Sequence, residues 1–406
     1  MAKTEQLIET AKRVQLGNYR PAPLVLSEGR GVRVRDVDGQ EFLDLSAGLA
    51  VTSVGHGHPK LAKAIGDQAA RLMHVSNLWY NDRAIELAQQ LTRRTGFDRV
   101  FFCNSGTEAN EALLKLARHY HFGAGHPERV GIVSTIASFH GRTMGTLALT
   151  GQPKYHEGMG PMVGGISHVA YDDLAAMNAA VNATTAAVLV EPIQAEGGIF
   201  VPSPEYLKGL RALCDERGVL LLFDEVQTGC GRTGHFLGAE ADGVKPDACS
   251  LAKGIAGGFP LGAILLSEKL AGGLPPGTHA STFGGNALAC AAGLATLAIF
   301  DEEHVLENVV ARGKELHDAC MRIVHKAPKA GVEVRGRGLL QGIVLASGVE
   351  PMSVLARLRA AGVLATLAGG NVVRICPALN ISQAELAEGM AKVEAAFIAL
   401  AQETVP

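Results

Sequence analysis

Between about residues 60 and 300, short apolar runs alternate with stretches of helical periodicity. The runs are Arg99–Cys103, Gly131–Ser134, Ala187–Val190, Val219–Phe223, Ala248–Leu251 and Gly262–Leu266. Each is largely apolar at successive positions rather than alternate ones, so each predicts a strand buried on both faces. Such strands, separated by helices, predict a mostly parallel sheet covered by helices, with ligands bound beyond the carboxyl ends of its strands.

The flanks read differently. A short helix opens the chain, and a hairpin follows in which Gly31–Arg35 and Glu41–Leu45 flank the turn signal Asp38-Gly39. Beyond residue 300, Val305, Val309, Leu316, Cys320 and Ile323 mark a long amphipathic helix. Short strands are expected at Leu339–Leu345 and Val372–Ile375. A last helix follows, with Ser382 and Glu385 at capping-box spacing and Leu386, Met390, Val393, Phe397 and Leu400 on one stripe. The expectation is an α/β protein in three parts: an N-terminal segment (1–59), a large domain with a mostly parallel sheet (60–300) and a smaller C-terminal α+β domain (301–406).

Composition narrows the function classes. The chain has 406 residues, 47% hydrophobic and 19% charged, which fits a folded globular protein of two or three units. A net charge of −3 without a long basic run argues against nucleic acid or anionic membranes as partners. Met1–Leu16 has no apolar core of signal-peptide length, and the Ala-rich stretch Ala287–Phe300 is shorter than the ~20 residues of a membrane span, so it reads as a buried helix. Seven cysteines without a C-x-x-C pair point to reduced thiols and a cytoplasmic location.

The chemistry sits at the strand ends. Leu220–Phe223 runs into Asp224-Glu225-Val226-Gln227, and a carboxylate directly after a buried strand is costly unless it meets a cation. The next strand ends in Ala252-Lys253-Gly254. Taken singly, the first is a structural ion pair and the second a solvated lysine. Together they suit pyridoxal 5′-phosphate (PLP), which needs an amine for its aldehyde and a carboxylate beneath its pyridine nitrogen. Asn104-Ser105-Gly106-Thr107-Glu108-Ala109-Asn110 lies at a strand-to-helix turn whose backbone N–H groups can hold a phosphate, although an ordinary N-cap reads the same way. Phe139-His140-Gly141-Arg142 offers an aromatic face for a flat ring, or plain core packing, and an arginine for a carboxylate.

In order along the chain, Ser105–Asn110 (SGTEAN), Phe139–Thr143 (FHGRT), Asp224–Gly229 (DEVQTG), Lys253-Gly254 and Ser281–Asn286 (STFGGN) resemble the signature set of class III, fold type I, PLP-dependent aminotransferases. The resemblance runs from Tyr19 to the last helix. Within the class, Phe102–Gly106, Leu149–Tyr155 and Ala368–Arg374 are most similar to the acetylornithine aminotransferases of arginine biosynthesis. Alanine at Ala378 and at Ala287 departs from prolines common in relatives.

The resemblance implies the PLP-transferase fold and a role for each matching residue. Lys253 would be the Schiff-base lysine. Asp224 would meet the pyridinium nitrogen, Gln227 the ring hydroxyl and Phe139 the ring face. Gly106 and Thr107 would cradle the phosphate, joined by Thr282 from the second subunit of a homodimer. Arg142 would bind the distal substrate carboxylate, with Arg374, Glu196, Tyr19 and Ser281 completing the pocket. Glu196 would mask Arg374 for a substrate with a single carboxylate and swing aside for glutamate. Acetylornithine and 2-oxoglutarate are the substrates implied. Other ω-amino acid transaminations remain open, on ornithine, 4-aminobutyrate, succinylornithine or succinyldiaminopimelate. The Arg374/Glu196 pair argues against a PLP aminomutase, since an internal amine shift needs no second dicarboxylate substrate, and the lack of a basic helix-turn-helix segment argues against a PLP-dependent regulator. No metal is expected: His56/His58 and His119/His121 lack accompanying carboxylates or cysteines, and Gly336-Arg-Gly338 reads as a turn into the Leu339 strand.

Overall fold

A computed structural model describes residues 3–403. Its central sheet has seven strands in the spatial order Arg99–Cys103, Gly262–Leu266, Ala248–Leu251, Leu220–Asp224, Thr185–Val190, Gly131–Thr135 and Ile166–Val169. Gly262–Leu266 runs antiparallel to both of its neighbours and the remaining pairings are parallel. Thr185–Val190 and Leu220–Asp224 are buried at every position, which is why neither shows alternation.

All six expected runs are strands of this sheet. The seventh, Ile166–Val169, escaped notice because it is an edge strand with only partly buried residues, too polar for an apolar run. The helix that follows the strand-to-helix turn runs from Gly106 to Gly123. Ser105 caps it by accepting from Glu108 N at 3.3 Å, while the Glu108 carboxylate accepts from Ser105 Oγ at 2.7 Å and Asn104 N at 3.0 Å. This capping box holds the turn where the first helical N–H groups lack intrahelical partners.

The N-terminal hairpin forms as expected, Arg33–Asp36 against Glu41–Asp44, and extends to Leu26–Arg30. Its sheet is completed from far along the chain, where Val363–Leu364 pairs in parallel with Leu43 and Asp44. A third, antiparallel sheet joins Gly331–Arg337, Leu340–Leu345, Val372–Ile375 and Thr366–Ala368. The glycine-rich segment expected only as a turn thus contributes a strand as well, with Gly338 at φ +59° forming the turn.

Ala287–Glu302 is a helix whose apolar residues are largely buried, and among the described residues no helix is long and apolar enough to cross a membrane. The last helix, Gln383–Glu403, follows the expected Ser382–Glu385 box and buries Leu386, Met390, Val393, Phe397 and Leu400. All seven cysteines are buried free thiols.

Phe397 is fully buried in the hydrophobic core, so truncating it leaves a cavity there. Phe397→Ala is expected to lower the unfolding free energy by about 3–5 kcal/mol, read from urea midpoints at unchanged m-value. A loss below about 1 kcal/mol would show that this stripe does not hold the helix.

Candidate active site

The carboxyl ends of the central strands open into a cavity of about 400 Å³. Its wall is assembled from four strand ends: Asn104–Thr107, Phe139–Arg142, Glu191 with Ile193 and Glu196, and Asp224–Thr228, closed by Ala252-Lys253 and Gly258–Leu261.

Asp224, the last residue of its strand, is 4% exposed. Its Oδ2 accepts from His140 Nδ1 at 2.8 Å and Asn110 Nδ2 at 2.7 Å, and its Oδ1 from Val226 N at 3.0 Å and Ser250 Oγ at 3.4 Å. The neighbouring Glu225 faces elsewhere. It accepts from Gly238 N and Ala239 N at 2.8 and 2.9 Å and from Thr228, and burial pushes its carboxyl up to about 7.

Lys253 has φ +45°, a left-handed conformation that costs a lysine of order 1–3 kcal/mol. The following turn is pinned by Ser53, whose hydroxyl donates to Gly254 O at 2.7 Å. No hydrogen-bonding partner of the Lys253 amine is present among the described residues. Burial lowers its pKa, and nearby Arg374 adds to this, while Glu196, Asp224 and Glu191 pull the other way without reversing it.

Arg374 is 1% exposed on its strand. Its Nη1 donates to Glu196 Oε1 and, at 2.9 Å, to Gln227 Oε1, while Nε donates to Thr366 Oγ1 at 3.1 Å. Glu196 also accepts from Gln227 Nε2 at 3.0 Å. Burial alone would raise the Glu196 carboxyl, but Arg374, then Lys253 and these hydrogen bonds, hold it below its usual value.

Arg142 is exposed at the rim with its guanidinium 3.7 Å from the centre of the Tyr155 ring and 5.1 Å from that of Phe139, and it has no carboxylate partner among the described residues. Thr107 Oγ1 accepts from Arg142 N at 3.1 Å and Thr143 N at 3.2 Å, and lies within hydrogen-bonding distance of the Thr143 and Thr146 hydroxyls. Gly141, at φ +137°, leaves room for those hydroxyls, with which any Cβ there would collide.

Thus Lys253, Asp224, Gly106, Thr107, Phe139, Gln227, Arg142 and Glu196 line one cavity, with Arg374 directly behind Glu196 and Gln227. Three expected residues stand outside that lining. Ser281 is hydrogen-bonded to Asn104 Nδ2 at 3.2 Å, Thr282 is exposed, and Tyr19 is 80% exposed. Glu191, His140 and Asn110 line the cavity without having been assigned roles from sequence. Glu191 follows an apolar strand, the same signal that singled out Asp224. The four histidines considered as ligands are otherwise engaged or unclustered: His56 with Asp44, His58 with Glu303, His121 with Ala186 O.

This fold and this cavity define a transaminase, and the chain belongs to the class-III aminotransferase family, the match spanning residues 15–397. It is 46% identical over 386 residues to an acetylornithine aminotransferase of Myxococcus xanthus, covering 95% of this chain and 96% of that protein. It is also 46% identical over 382 residues to one of Agrobacterium fabrum, covering 94% and 95%. Among solved structures, the ornithine aminotransferase of Toxoplasma gondii superposes with a TM-score of 0.96 at 34% identity over 99% of this chain and 97% of that one. The N-acetylornithine aminotransferase of Stenotrophomonas maltophilia does so with 0.84 at 36% identity over 98% and 100%.

Enzymes of this family use PLP and act on small-molecule amines and keto acids, and this chain is a PLP-dependent transaminase. The cavity fits that cofactor on its own chemistry. Among the described residues, it offers an amine without a hydrogen-bonding partner, a buried carboxylate, a helix N-terminus and, at Asn110 Oδ1, a buried acceptor lacking any donor.

The lowered pKa of Lys253 has a consequence for the cofactor-free protein. Folding disfavours its charged form, so the cost is full below the folded-state pKa and disappears as pH rises past the unfolded value of 10.5. Cofactor-free Lys253→Met is therefore expected to be more stable than the parent at pH 7, by a margin that shrinks toward pH 10.5 in urea melts. A margin that grows with pH would contradict the assigned shift.

Proposed function

We propose that the protein is an acetylornithine:2-oxoglutarate aminotransferase, transferring the terminal amine of acetylornithine in arginine biosynthesis. The observation that carries this reading is the buried Arg374–Glu196 pair beside Lys253, with the unpaired Arg142 at the rim. The names of the relatives at 46% identity support it.

When bound, PLP supplies an electrophilic aldehyde and an electron-withdrawing ring. In this reading Lys253 Nζ anchors it covalently, Asp224 faces its ring nitrogen, Gln227 its ring hydroxyl, Phe139 its ring face, and Gly106 with Thr107 its phosphate. Burial keeps more of the Lys253 amine unprotonated at neutral pH than in water. That is the form that would take a proton from the amine-bearing carbon of the substrate.

Arg142 binds the carboxylate remote from the reacting amine in both substrates. Glutamate carries a second carboxylate next to the reacting amine, and Arg374 receives it when Glu196 yields. Acetylornithine reacts at a carbon without one, so the Arg374–Glu196 pair stays closed and no buried charge is left unmatched.

A second reading, an ornithine aminotransferase, is favoured by the backbone match to the Toxoplasma enzyme. Single-turnover rates with acetylornithine, ornithine, 4-aminobutyrate and the succinylated amines, followed through the bound cofactor's absorbance, decide between them. A preference for free ornithine would replace the first reading.

We further propose a cytoplasmic homodimer with active sites shared between subunits, small-molecule substrates and no nucleic-acid partner. Leu78, Trp79, Tyr80 and Phe283 form an exposed apolar group, and Asn77 Nδ2 ties that segment to Ser281 O at 2.8 Å. Thr282 lies beside them and would reach the other subunit's phosphate site, with Ser281 and Tyr19 near the substrate.

Arg374→Ala is expected to slow the glutamate half-reaction about a hundredfold or more while affecting acetylornithine far less. Glu196→Ala reverses the pattern, leaving glutamate competent and acetylornithine facing an unmatched cation. Equal losses for both amines in Arg374→Ala would remove the two-substrate switch. For assembly, Thr282→Ala subunits mixed with Lys253→Ala subunits should regain activity through one intact site per hybrid dimer. No recovery after demonstrated subunit exchange would place both residues in one subunit's site.

A further inference from the structure

We propose that His140 is a positioning residue of this reaction: by donating Nδ1–H to Asp224 it fixes the carboxylate that faces the cofactor's ring nitrogen. The inference rests on the role assigned to Asp224 above and adds the residue that makes that role effective.

The His140 side chain is fully buried between two polar partners, Asp224 Oδ2 at 2.8 Å from Nδ1 and Ser134 Oγ at 3.1 Å from Nε2. An ionised carboxylate only accepts, so Nδ1 carries the hydrogen toward Asp224, while Nε2 lies within hydrogen-bonding distance of the Ser134 hydroxyl. The backbone is held as firmly as the ring. His140 N donates to Thr150 Oγ1 at 2.9 Å, and His140 O accepts from Asn110 Nδ2 at 2.8 Å, the same amide that reaches Asp224 Oδ2. A histidine serving packing alone would not need a matched partner on each ring nitrogen and on both backbone groups.

An aspartate carboxylate rotates in a broad well about its last torsion. Here Oδ2 is held from two directions by His140 and Asn110, and Oδ1 by Val226 N. The carboxylate plane is thereby set before any cofactor arrives. A cofactor ring nitrogen then meets an oriented anion, which keeps that nitrogen protonated without reorganisation of the site.

The test compares two cofactors within each variant: PLP and its analogue with carbon in place of the ring nitrogen. Dissociation constants come from fluorescence titration of the cofactor-free protein. His140→Phe should weaken PLP binding roughly tenfold or more, the loss of one hydrogen bond to a charged group, and barely change binding of the carbon analogue. His140→Asn, which keeps a donor near the Nδ1 position, should recover much of that affinity. The ratio of the two constants within one protein cancels a general loss of stability, and His140→Ala gives the same comparison if phenylalanine is not accommodated.

Equal weakening of both cofactors by His140→Phe or His140→Ala would make His140 purely structural and overturn the proposal, as would unchanged PLP affinity. Asp224→Asn is measured alongside. If it too fails to distinguish the cofactors, the assignment of Asp224 is wrong. If it distinguishes them and the His140 variants do not, only the inference about His140 falls.

Discussion

The structure depends on keeping a small set of charges dry and matched. Asp224, Glu191 and Glu196 face Lys253 and Arg374 in and behind one cavity, where an unmatched ion would cost several kcal/mol. All but Lys253 are answered locally. Asp224 gathers four donors, Glu196 takes Arg374 and Gln227, and Arg374 also holds Thr366. Lys253 finds no hydrogen-bonding partner among the described residues, and burial lowers its pKa.

Sheet topology brings these groups together. The antiparallel strand Gly262–Leu266 lies between Arg99–Cys103 and Ala248–Leu251, so the loop holding Ser105–Thr107 and the loop holding Lys253 emerge at the same end, one strand apart. Close approach there demands glycine: a Cβ at Gly262 would lie 2.8 Å from Cys103 Sγ and press on Ser105 O, and one at Gly106 would lie 2.8 Å from Val226. Backbone proximity at these points sets the depth of the cavity, and the side chains then furnish it.

What could be read from the chain follows the same physics. Buried strands and their terminal polar residues were legible because an apolar run ending in Asp224 or Lys253 is conspicuous. Ile166–Val169 was not, since an edge strand lacks two buried faces. The strand Val363–Leu364 is two residues long and pairs with a partner more than three hundred residues away, beyond any local signal. In the site, Arg374 was visible as a charge inside an apolar strand. His140 and Asn110 lay within quoted motifs, but their convergence on one carboxylate oxygen is a property of the fold: thirty residues separate them from each other and eighty-four separate His140 from Asp224.

The two buried carboxyls of Glu191 and Asp224 show how environment divides roles between groups of one chemistry. Burial, and then the proximity of Asp224, raise the Glu191 carboxyl well above its ordinary value against two backbone donors, Phe139 N at 3.2 Å and Ala195 N at 3.3 Å. Asp224 receives the imidazole, the amide, a backbone N–H and a hydroxyl. The donors are divided unequally between the two: four converge on Asp224, and two, both backbone N–H groups, on Glu191. Glu191 serves geometry: its two oxygens span from Phe139, on the cavity wall, to the turn that carries Glu196.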